Sequence, residues 1–159
     1  MKLYHGTNHA FDKIDLMKSK PNKDFGRGFY LSPNYEQAFN MANIKTEQQK
    51  DGGPVVLTYE VDESELETLN VRSFEKYSEE WAEFILANRS NATGKAVHQY
   101  DVVIGPIADD RIGVQLWKYE NQLIDLHTLV EKLKYMKGMT IQYFFGTEKA
   151  ISLLKRIDT

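Results

Sequence analysis

Cysteine is absent from the 159-residue chain. That excludes disulfides, thiol nucleophiles and thiolate metal sites, and it fits a reducing compartment. No apolar run approaches the length of a membrane span, and Met1-Lys2-Leu3-Tyr4-His5 contains no apolar signal core. A cytoplasmic protein with no membrane association is therefore expected, with delivery to another cell by a route that needs no cleaved signal left open. A basic excess is also missing: the formal net charge is −3, so there is no global field for nucleic acid, only room for a local basic patch. There is no repeat, low-complexity tract, phosphate-binding P-loop, nucleophile elbow or zinc signature. His98 and His127 lack ligand spacing and read as surface or packing residues, so no metal is expected.

Hydrophobic residues make up 42% of the chain and charged residues 27%, enough for one domain spanning 1–159 with a real core. Strands are expected at Lys2 to Tyr4, Gly28 to Leu31, Val55 to Val61, Asp101 to Ile104 (stopped by Gly105-Pro106) and Met139 to Phe145. Asn8 to Asp24 is lysine-rich and reads as a short helix and a loop. Ser32-Pro33 reads as the N-cap and first turn of a helix over Asn34 to Ile44, with Ala38, Met41 and Ala42 on its inward face. Apolar spacing predicts a helix over Ser73 to Asn88, a long helical pattern through Leu123, Leu126, Leu129, Val130 and Leu133, and a last helix capped by Thr147. This mixed order implies an α+β fold of two packed antiparallel sheets with helices outside.

Two glycine-flanked segments stand out, Leu3-Tyr4-His5-Gly6-Thr7 and Asp24-Phe25-Gly26-Arg27-Gly28-Phe29-Tyr30-Leu31-Ser32. Glycines beside polar rings let a backbone approach a ligand, and His5 and Tyr30 place ring donors at the ends of two strands. Thr140-Ile141-Gln142-Tyr143-Phe144-Phe145 offers a polar group from a third. Strands from distant parts of a chain converging on one cleft make a small-molecule site. Asp101, Asp109, Asp110 and Arg111 form a further charged group, read as caps and turn formers, with an acceptor-holding role as the alternative.

The segments His5-Gly6-Thr7 and Gly26-Arg27-Gly28-Phe29-Tyr30 resemble the ADP-ribosyltransferase superfamily, in its His-Tyr-Glu branch of diphtheria toxin and the poly(ADP-ribose) polymerases. Through Glu80 to Arg89, Tyr100 to Asp110 and Thr147 to Ala150 the whole chain is similar to a bacterial family of unknown function placed in that superfamily. The resemblance implies a split antiparallel sheet core and NAD as substrate. It implies that His5 bonds the nicotinamide-side ribose, that the Gly6 backbone grips the carboxamide, that Thr7 serves the adenosine side, and that Tyr30 stacks on nicotinamide. Arg27, beside Gly28, would face the pyrophosphate, where a guanidinium forks onto oxygens.

Gln142 stands where that family has its catalytic Glu; it can bond a ribose hydroxyl but cannot take a proton. On the helix after Tyr30, Ala38 stands where a Ser would clamp the carboxamide and Met41 where an aromatic ring would pack. The expected activity is mono-ADP-ribosyl transfer from NAD to a macromolecular acceptor, protein or nucleic acid, by a bacterial toxin or defence effector with an antitoxin or immunity protein as a further partner. The alternative is an inactive NAD- or partner-binding module. An RNA-directed, phosphate-removing transferase of the same fold lacks its Arg and His pair here and ranks last.

Overall fold

The computed structural model describes residues 1–157. The strands are β1 (Lys2–Thr7), β2 (Phe29–Leu31), β3 (Val55–Glu60), β4 (Val71–Ser73), β5 (Val102–Pro106), β6 (Ile141–Phe145) and β7 (Lys155–Arg156). The helices are α1 (Tyr35–Gln49), α2 (Glu63–Leu66), α3 (Glu79–Arg89), α4 (Asp110–Glu120), α5 (Leu126–Lys134) and α6 (Glu148–Ile151), with a short 3-10 turn over Leu16–Lys18. One sheet has the order β1-β3-β7 and the other β2-β6-β5-β4. The class is α+β as expected, but the second sheet is mixed, because β4 and β5 run parallel.

Side-chain alternation divides the core in two. Phe29, Leu31, Val102 and Phe145 of the second sheet meet Leu3, Leu57 and Tyr59 of the first, forming a layer between the sheets. Val103 and Phe144, on the opposite face, meet Trp81 and Ile85 of α3, Ile112 and Leu116 of α4, and Leu129 and Leu133 of α5. Helix α1 lies on the outer face of β1: Ala38 and Ala42 are buried there, one turn apart, and Gly6 is the β1 residue beneath them. A Cβ on Gly6 would run into the Ala38 carbonyl and the Ala42 amide.

Five sequence expectations change. Asn34, not Ser32, caps α1 by accepting from the Gln37 N–H, while Ser32 Oγ accepts from the Asn34 N–H. Met41 points outward, 45% exposed, because the inward stripe of α1 runs through Ala38, Ala42 and Lys45. The helix expected from Ser73 begins only at Glu79, where Ser78 Oγ accepts from the Trp81 N–H; Phe74 and Tyr77 are buried in the connection before it. Gly105 and Pro106 extend β5 instead of ending it, since Pro106 needs only its carbonyl, which accepts from Trp81 Nε1 at 3.1 Å. The long helical pattern breaks into α4 and α5 at Gln122, whose φ is +59°.

Gly6→Ala should lower stability by about 1–3 kcal/mol through overpacking against the α1 backbone. Equilibrium urea unfolding at neutral pH measures it; an unchanged midpoint would contradict this packing.

Candidate functional site

The two sheets touch through β1 and β2. Tyr4 and Ser32 exchange both backbone hydrogen bonds at 2.8 Å. Beyond them the strands part, and among the described residues they exchange no further backbone bond. The seam is closed instead by a side chain: His5 Nδ1 lies 2.6 Å from the Tyr30 carbonyl. A carbonyl only accepts, so Nδ1 carries the proton and donates. The imidazole also stacks on Phe29, with ring centroids 4.2 Å apart.

Burial lowers the pKa of His5 from 6.5 to about 4; Lys45 and Lys23 add to the lowering, and the bond to the Tyr30 carbonyl opposes it. At neutral pH the ring is therefore uncharged, and its Nε2 is a bare acceptor. It sits in the wall of a cavity of about 270 Å³ shared with Thr7, Gly28, Tyr30 and several lysines. Strand alternation puts Thr7 on the same side of β1 as His5, and the residue is buried.

Tyr30 is held differently from His5. Its hydroxyl donates to the Gly26 carbonyl at 2.6 Å and accepts from the Phe25 N–H at 3.0 Å. The ring packs on Phe144 at 5.3 Å between centroids, and Lys23 Nζ lies 5.2 Å over its face. Burial pushes the phenol above its ordinary pKa, so it stays protonated. The ring thus pins the Gly26–Gly28 loop, and what Tyr30 gives His5 is its carbonyl. Gly28 is required by the same packing, because a Cβ there would overlap the Phe144 ring.

The family model for DUF3990, a protein family of unknown function, matches residues 1–156. The chain belongs to the DUF3990 family. No curated protein and no solved structure matches it.

In this DUF3990 chain, His5, Thr7, Gly28 and Tyr30 converge on one cavity. The other proposed positions do not line it. Gly6 lies in the seam behind, its backbone edge on the β2 side with that of Tyr4. Arg27 opens onto a second cavity, about 430 Å³, on the far side of the Gly26–Gly28 loop, with its Nη1 3.5 Å from Met17 sulfur and its buried Nε without a hydrogen-bond partner. Gln142, on β6, pairs with Gly105 of β5, one step past the stretch that meets β2, and lines neither cavity. Ala38 is packed beneath Gly6, and Met41 faces out. The hydrogen-bonding character of the imidazole also differs from expectation: with Nδ1 donating to the Tyr30 carbonyl, the free nitrogen Nε2 can only accept, where a ring donor was expected.

The aspartates expected as caps and turn formers are engaged apart from one another. Asp109 caps α4 and pairs with Arg111 at 2.9 Å, which lowers its pKa; Asp101 accepts from Thr147 Oγ1 and the Asn70 N–H. His98 Nε2 donates to the Phe25 carbonyl, and its Nδ1 accepts from the Tyr100 N–H. Among the described residues no His, Cys, Asp and Glu cluster could hold a metal ion, and no helix is long and apolar enough to cross a membrane.

Sequence reasoning missed the lysines. Lys13, Lys18, Lys23 and Lys45 all line the His5 cavity, with Asp15 the one carboxylate among its walls. The first three sit in the lysine-rich segment read as a short helix and a loop. Lys45 had a signal: it lies seven residues after Ala38, on the same inward stripe of α1.

Because His5 resists protonation in the folded state, stability should fall as pH drops from 6.5 toward 4, by about 3 kcal/mol for this group. His5→Phe, which keeps the stacking partner, should flatten that part of a pH series of urea midpoints and leave the smaller slope from His98, whose pKa burial also lowers. An unchanged slope would contradict the buried, neutral imidazole.

Proposed function

We propose that this chain is an NAD-dependent mono-ADP-ribosyltransferase, whose cleft is the cavity walled by His5, Thr7, Gly28 and Tyr30. The observation that carries the reading is the state of His5. Its Nδ1 is fixed on the Tyr30 carbonyl and its ring is neutral, so Nε2 offers a lone pair to a ribose hydroxyl. Lysines in the same wall supply charge for the pyrophosphate. Gly6, in the seam behind, presents a peptide edge suited to the carboxamide of a nicotinamide.

In this reading the C1′–N bond of the nicotinamide riboside breaks and nicotinamide leaves as the neutral base with the bonding pair. The acceptor nucleophile then adds to C1′ and releases its proton to solvent. Orientation of the ribose and the leaving group supplies most of the acceleration. Nicotinamide stacked on the Tyr30 ring would displace Lys23 from its place over it. The fitting biological setting is a bacterial toxin or defence effector acting in the cytoplasm on a macromolecule.

A second reading is favoured by one observation: Gln142 lies outside the cavity, and Asp15, its one carboxylate, accepts from the Met17 N–H to cap the 3-10 turn. With no carboxylate beside the reacting carbon, the same cleft would serve as an NAD-holding module.

Two variants separate these readings. His5→Gln should weaken NAD binding by about tenfold in calorimetry, since it loses an oriented hydrogen bond of about 1.4 kcal/mol. Labelled NAD in a bacterial lysate should label an acceptor with the wild-type chain and not with His5→Gln. Binding without labelling favours the holding module; NAD affinity equal in both proteins contradicts the assignment of the cleft.

A further inference from the structure

The charge of the His5 cavity does not match the dinucleotide assigned to it. In NAD the pyridinium cancels one of the two pyrophosphate charges. Four lysines line the cavity against the single carboxylate of Asp15. Lys23 is crowded: partial desolvation, then Lys45 and Lys20, lower its pKa, and Asp24 only partly compensates, being 2.6 Å from Arg89 Nε. Lys45 and Lys23 also reach His5 electrostatically. Like charges gathered at one small cavity cost folding free energy unless an anion joins them.

The arrangement suits a free nucleotide better than a nucleic-acid strand. The lysines converge on a cavity of about 270 Å³ instead of forming a track, and the chain as a whole carries −3, which repels an extended polyanion.

We infer that the cavity is built for a nucleotide bearing a phosphomonoester in addition to a pyrophosphate, so that between the two nicotinamide dinucleotides it selects the 2′-phosphorylated form. The inference deepens the NAD reading and rests on it for the nicotinamide half alone; the phosphate cradle stands on Lys13, Lys18, Lys23 and Lys45.

Calorimetric titrations of the full chain with NAD and with NADP, at low and at physiological salt, test it, with inorganic tripolyphosphate as a third probe. NADP should bind about tenfold tighter than NAD at low salt, one charge-assisted contact's worth, and the ratio should shrink as salt screens the lysines. Lys18→Gln and Lys45→Gln, changes on an exposed turn and on a helix side, should each lower the ratio and leave the thermal midpoint within a few degrees. Equal affinity for the two dinucleotides, or a ratio indifferent to both variants, overturns the inference while leaving the NAD reading in place. Lysine-dependent binding of tripolyphosphate with neither dinucleotide bound supports the cradle and removes the dinucleotide reading.

Discussion

The contact from His5 Nδ1 to the Tyr30 carbonyl is where the two sheets and the cavity are made at once. The strands β1 and β2 share a single backbone bridge, at Tyr4 and Ser32, and then diverge. A diverging pair leaves polar backbone groups facing a gap, which costs free energy unless something bonds them. An imidazole fits because one nitrogen can satisfy the carbonyl while the other stays available on the open side. Its burial against Phe29 keeps it neutral, and neutrality is what leaves Nε2 an acceptor.

Rigidity around that contact comes from both sides. Helix α1 lies so close to Gly6 that no side chain fits between, which fixes β1. The Phe144 ring, buried on β6, leaves no room for a Cβ on Gly28, and Tyr30 bonds the loop at Gly26 and Phe25. Gly6 and Gly28 are therefore explained by packing between elements, and Gly26 by its φ of +98°. That does not compete with a ligand: the close packing holds the His5 and Thr7 side chains at a fixed separation from β2. The loop carrying Arg27 turns away to a second cavity, and the cationic side chains around the His5 cavity are lysines of other segments.

Much of this was legible in the sequence and some was not, for identifiable reasons. The motif strands, the Thr147 cap and the inward faces of α3 and α5 follow from local pattern. The early start expected for α3 failed because Phe74 and Tyr77 carry helical spacing by coincidence: Phe74 N–H continues the sheet by bonding the Ile104 carbonyl, and Ser78 outcompetes them as a cap. Met41 followed a correct period with the wrong phase, since Lys45, half-buried, belongs to the stripe instead. The place of Gln142 could not be read, because it depends on where β2 stops along β6, and a three-residue strand stops short of it. The lysine cradle was invisible because it joins residues from a loop and a helix that only the fold brings together.

The state of the His5 imidazole tests the account most directly. Long-range nitrogen–proton correlation spectra of the ¹⁵N-labelled chain at neutral pH distinguish the two tautomers and the charged form. The account predicts a neutral ring protonated at Nδ1, whose Nε2 resonance moves when dinucleotide is added and shifts only slightly on a drop to pH 5, the ring remaining mainly neutral. A ring protonated at Nε2, or charged at neutral pH, would contradict it, because the Tyr30 carbonyl would lose its donor or the cavity its acceptor.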